Sequence, residues 1–404
     1  MKLRLAFTAD GRRLITGSAD TTVRIWDLQV ANSTGSRPIV LSGHEDLVSC
    51  LVVSPNGRWL VTGSFDKTAR VWDLHAKDPS SRASVLRGHD DRINCAVISR
   101  DSRWLITGSN DQTVRIWDLQ SSNPTVNQRV LKGHQGAIKR VVLSGDDRWL
   151  IAAGQIETIQ IWDMLSPEND GRPRALLGHE KPIYAMTTRQ TETSLITGSG
   201  DGTIRCWDFN GGEDNQAKVL LRDEKSGILE IALSSDDHWL ATTSFVKSNG
   251  VPDLDIRVLD LSSAGSVTGP RTLSGHQGAI TALAISSNSG CIVSGSSDET
   301  ARIWDLYNSE EATQSIVLGG HESGVSTLGI SPDGHHFVTG SGEGVVRVWL
   351  LDPRDLCRIA NTYAGRSLGD EERRLYGIPL KEVSEDFGQS SYEPFEPSNG
   401  TAVR

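Results

Sequence analysis

The sequence predicts an all-β fold, an eight-bladed propeller with four-stranded antiparallel blades. Three observations carry this. Tryptophan recurs at Trp26, Trp72, Trp117, Trp162, Trp207, Trp304 and Trp349, mostly 45 residues apart. Gly-His pairs recur in phase at Gly43-His44, Gly88-His89, Gly133-His134, Gly178-His179, Gly275-His276 and Gly320-His321, and each histidine stands 28 residues before a tryptophan. Each period also holds four short apolar runs broken by turn residues, too few to bury both faces alone but enough once neighbours stack.

The elements follow in order. Residues 2–8 read as the first strand of unit one, with no Gly-His pair before them. Unit two shows the pattern in full: Val48–Val53, the turn Ser54-Pro55-Asn56-Gly57, Trp59–Ser64, a turn at Phe65-Asp66-Lys67, Thr68–Leu74, and Ala83–Leu86 leading to the next Gly-His. Trp59, Trp104, Trp149 and Trp239 open the second strand of their units and read as blade packing. The 97 residues between Trp207 and Trp304 hide one more unit, DIRVLDL, with Leu259 at the tryptophan position. The count is therefore eight units and not seven.

The Gly-His pair, an aspartate six residues before Trp-Asp and a period near 45 resemble the WD-repeat (WD40) family of propellers over residues 1–352. The resemblance implies a structural network in each blade joining the histidine, a strand Ser or Thr, the turn aspartate and the tryptophan. In unit two these are His44, Asp66 and Trp72, with either Thr62 or Ser64, which share one side of the strand. Units three, five and seven carry the same set: His89, Asp111 and Trp117; His179, Asp201 and Trp207; His276, Asp298 and Trp304. A buried indole N–H needs an acceptor, and a satisfied network rigidifies a blade.

Departures from the repeat are the informative positions. Unit four has Ile156 in place of the aspartate; unit eight has Glu343 there, and Trp349-Leu350 for Trp-Asp. Unit six shows Arg222-Asp223 where Gly-His is expected, lacks the tryptophan, and has seven extra residues in the turn Phe245–Asp255. The histidine loops and these turns should share one rim, since His and Asp must meet. Candidate binding residues on that rim are Phe65, Arg92, Asn94, Asn110, Lys139, Lys181, Tyr184, Phe245 and Lys247. The strand phase points Arg92, Asn94, Lys139 and Tyr184 toward the mouth of the central channel. A turn-tip aromatic is a natural anchor for a partner.

Composition bounds the function. A net charge of −10 disfavours nucleic acid as the main partner, which would call for a basic face. Five scattered cysteines without a CxxC pair read as reduced thiols. No apolar run is long enough to span a membrane, and no signal-peptide core stands at the start, so a cytoplasmic location is expected. No phosphate loop, nucleophile elbow or HExxH motif occurs, and His335-His336 has no third ligand nearby. The expectation is a protein that is not an enzyme, needs no cofactor or metal, and holds a protein or peptide partner on the Gly-His rim.

The tail divides into residues 353–378, expected to close the last blade or form a short helix, and residues 379–404, whose polar composition predicts disorder. The last blade should take its fourth strand from about Leu356–Ala360 or stay three-stranded. The run Leu356–Ala360, followed by Asp370-Glu371-Glu372 and Arg374-Leu375-Tyr376, resembles the closing segment of bacterial signalling ATPases and kinases that end in WD-repeat sensors. That resemblance implies an alternative: the ligand-sensing end of a larger signalling protein.

Overall fold

The computed structural model describes residues 3–28, 37–80, 83–121, 123–165, 173–189, 194–209, 217–224, 226–244, 252–262, 270–288, 290–306 and 315–351. Phe245, Lys247 and the expected tail elements lie outside them. The described residues form eight antiparallel sheets in simple up-and-down order. Blade one runs Arg4–Phe7, Arg13–Gly17, Val23–Asp27 and Ile39–Leu41. Blades two to seven repeat it, and blade eight contributes Val325–Ile330, His336–Ser341 and Val346–Leu350. The first strand of each blade packs on the first strand of the next, and that of blade eight packs on that of blade one, so the ring is closed.

The local chemistry explains the regularity. In every blade but the fifth, the turn after the first strand is built on a Ser or Thr followed two residues later by Asp or Asn. Ser54 Oγ donates to Asn56 Oδ1 at 2.6 Å and accepts from the Trp59 amide at 2.8 Å. Ser99 with Asp101, Ser144 with Asp146 and Ser234 with Asp236 repeat the motif. The second strands are sandwiched between blades and buried on both faces after their first residue, which is why they read as unbroken apolar or small residues.

Blades approach one another most closely at a glycine of the second strand. A Cβ on Gly108 would lie 2.6 Å from Ile138 Cγ2 of the next blade, and one on Gly295 would lie 2.5 Å from Val325 Cγ1. The tryptophans also face the preceding blade. Trp72 joins Ile15, Val23, Ile25 and Leu41 of blade one in a single core, and Trp117 joins Val61, Val71 and Leu86 of blade two. Ring closure uses the same contacts. Gly340 of blade eight faces Leu3, and Trp26 of blade one packs on the core of Leu3, Leu14, Val338 and Val346.

Candidate functional site

The Gly-His rim is organised by the polar network inside each blade. In blade two, Trp72 Nε1–H donates to Thr62 Oγ1 at 3.1 Å, and Thr62 Oγ1 lies 2.8 Å from His44 Nε2. His44 Nδ1 lies 2.7 Å from Asp66 Oδ2. The Asp66 carboxylate only accepts, so the network assigns Nδ1–H as donor and leaves Nε2 to accept the Thr62 hydroxyl proton. Asp66 also receives the amides of Glu45 and Thr68 and the Thr68 hydroxyl. Ser64 bonds elsewhere, donating to the Asp46 carbonyl and accepting from the Asp66 amide. The alternative between Thr62 and Ser64 thus resolves to Thr62 on the tryptophan and Ser64 on the turn.

The same geometry recurs. His89 sits 2.7 Å from Asp111 and 2.8 Å from Thr107, which accepts from Trp117 at 3.0 Å. His179, Asp201, Thr197 and Trp207 match it, as do His276, Asp298, Ser294 and Trp304. Burial pushes the Asp66, Asp111, Asp201 and Asp298 carboxyls up, but hydrogen bonds from the histidine, the following threonine and the backbone outweigh it and hold all four well below the usual carboxylate range. These clasps fix the histidine loop against the neighbouring turn, so the rim is rigid where they are complete.

The irregular blades depart in distinct ways. In blade four, Ala152 takes the threonine position and Ile156 the aspartate position; His134 Nδ1 turns to the Gly136 carbonyl at 2.7 Å, and its buried Nε2 has no hydrogen-bond partner. In blade eight, Thr339 still joins His321 to Trp349, but Glu343 reaches only to 3.7 Å from His321. Blade six replaces the clasp by ions. Counting back from Ile228 as from Val48 to His44 puts Asp223-Glu224 at the Gly-His position, one residue beyond the expected Arg222-Asp223. The turn aspartate survives as Asp253, six residues before Leu259, and Arg257 bridges it at 2.8 Å to Asp223 at 2.9 Å. Sequence reasoning missed this triad because most units carry an arginine at the same place, as Arg70 and Arg115 do.

Several rim candidates come together. The Arg92 guanidinium stacks over the Phe65 ring at 4.9 Å, spanning blades two and three. Asn110 Nδ2–H donates to Asp91 at 3.2 Å, and its Oδ1 accepts from Lys139 Nζ at 3.0 Å and Asn94 Nδ2 at 3.4 Å. Asn94 Nδ2–H also donates to the Ile138 carbonyl of blade four at 2.8 Å. Burial, and then the nearby Arg92, hold the Lys139 ammonium below its ordinary value. Lys181 and Tyr184 of blade five are exposed and flank the turn at Gly200. Asp91, which anchors Asn110, was not among the expected site residues, since it resembles the other acidic residues of these loops.

Comparison with protein families matches the WD domain, G-beta repeat model at residues 3–27, 35–73, 80–118, 125–163, 171–208, 269–305 and 312–349, more than half of the chain. The chain belongs to the WD-repeat family. The one blade without a family match is blade six, where the ion triad replaces the WD clasp. A comparison with curated proteins found no match. WD-repeat propellers typically serve as protein-interaction scaffolds and are generally not catalysts. Among the described residues, no three His, Cys, Asp or Glu side chains are arranged to hold a metal ion, and no helix is long and apolar enough to cross a membrane.

Proposed function

We propose that this WD-repeat propeller is a non-catalytic scaffold that holds a protein or peptide partner on the Gly-His rim of blades two to five. The observation that carries this reading is the connected surface Phe65–Arg92 and Asp91–Asn110–Lys139, continued by Lys181 and Tyr184. It offers flat aromatic and guanidinium faces together with a half-buried ammonium. The clasps of blades two, three and five hold it, so little side-chain entropy remains to be lost on binding.

The test compares two faces of the ring. Phe65→Ala, Lys139→Ala and Tyr184→Ala are combined in one variant. Arg58→Ala and Arg103→Ala, on the opposite face, form the other. Proteins retained from lysate by the unaltered chain are identified by mass spectrometry, with circular dichroism checking each fold. The rim variant should lose the retained partner and the opposite-face variant should keep it. The reverse pattern, or retention by both, would refute the rim as the docking surface.

A further inference from the structure

The third strand of blade eight, Val346–Leu350, has no fourth strand beside it among the described residues. Its chemistry is that of a covered strand. The residue at its centre, Val348, is 37% exposed, whereas its counterparts Ile25, Val71, Ile116, Ile161, Val258 and Ile303 are 7% exposed or less and Cys206 is partly buried. Trp26, which packs on this blade across the ring closure, is only half-buried, as is Trp349 against blade seven, whereas Trp72, Trp117, Trp162, Trp207 and Trp304 are 3% exposed or less. In five of the other interfaces a buried leucine of the fourth strand fills this place: Leu41 packs with Trp72, Leu86 with Trp117, Leu131 with Trp162, Leu176 with Trp207 and Leu273 with Trp304; Leu318, only partly buried, stands beside the half-buried Trp349. One seat in the ring, over Val346, Val348 and Trp26, is therefore shaped for an apolar side chain arriving on an antiparallel strand.

Spacing identifies the occupant. The seat-filling leucine stands 14 residues after the tryptophan position in blades two to seven and 15 in blade one. Counted from Trp349, 14 residues lead to Tyr363. We infer that residues 360–363 of this same chain form the fourth strand of blade eight, with Tyr363 in the leucine seat. By the register of blade seven, where Ala301 pairs Leu318 and Arg302 pairs Val317, Tyr363 stands opposite Val346 and Thr362 opposite Arg347. The segment Leu356–Ala360 is apolar but follows Leu350 after a connection of only five residues, whereas the shortest connection between third and fourth strands elsewhere has nine, in blades two, five and seven. Pairing covers the row of free backbone groups along the edge, which otherwise invites another chain.

Two measurements on the full chain test this. In a Cys357→Ser background, Arg347→Cys with Thr362→Cys should form a disulfide in the monomer on mild oxidation, and Arg347→Cys with Arg358→Cys should not; the opposite pattern overturns the register. Hydrogen exchange then follows the amides of residues 346–350. Protection there should match that of residues 301–305, and a chain ending after Asp352 should lose it at least tenfold. Should the shortened chain fail to fold, Tyr363→Asp in the full chain should cause the same local loss. Protection that survives both changes, or a sedimentation mass showing that a second copy covers the edge, overturns the inference.

Discussion

Thr107→Val in blade three isolates the polar clasp from packing, because valine keeps the shape of threonine and removes only the hydroxyl. Thr107 is fully buried, and its Oγ1 serves both His89 Nε2 at 2.8 Å and Trp117 Nε1 at 3.0 Å. The substitution leaves two buried groups without partners. At about 1–3 kcal/mol for each orphaned group, less some relaxation, the loss should be about 2–4 kcal/mol. Blade four shows that the ring tolerates such a loss, since Ala152 there leaves His134 Nε2 unpaired. A repeat protein opens locally, so native-state hydrogen exchange is the suitable assay. Amides of residues 104–118 should lose protection by roughly 30- to 700-fold, with those of blade seven unchanged as an internal reference. A loss under about 0.5 kcal/mol in blade three would show that packing alone orders the blade and that the clasp adds nothing.

Two further outcomes follow from the same geometry. Acid should destabilise the ring in two stages. Burial, the first cause in each case, holds His134, His276 and His321 below the ordinary imidazole value of 6.5, so the unfolded chain takes up protons first and stability declines as pH falls below about that value. The depressed carboxyls of Asp66, Asp111, Asp201 and Asp298 stabilise the fold above their unfolded value near 3.8, and this is lost as pH falls from there toward their folded values. Calorimetry from pH 8 to pH 3 should show both stages, and a Tm that does not move between pH 7 and pH 5 would contradict the histidine part. In blade six, Arg257→Leu should cost about 3–5 kcal/mol, because it removes the guanidinium that bridges Asp223 to Asp253, whose side chain is fully buried. Urea unfolding measures this, and a change below about 1 kcal/mol would mean that solvent screens the triad.

The propeller and its blade count were legible in the sequence because every blade solves the same local problem with the same residues. Trp, Gly-His and the turn aspartate mark a period, and even the tryptophan-free unit six kept the phase through Leu259. The members of the clasp were legible for the same reason. What the sequence left open was which of two same-side hydroxyls, Thr62 or Ser64, meets the tryptophan, since alternation gives a face but not a depth along the strand. Only the folded structure decided which side chains meet across turns and blades: Arg92 lies on Phe65, Asn110 ties Asp91 to Lys139, and Arg257 joins Asp223 to Asp253. These partners come from different turns of one blade or from neighbouring blades, brought together by the folding of each blade and the stacking of the next upon it. Periodicity records what each repeat shares, so it carries no trace of side chains that meet only once.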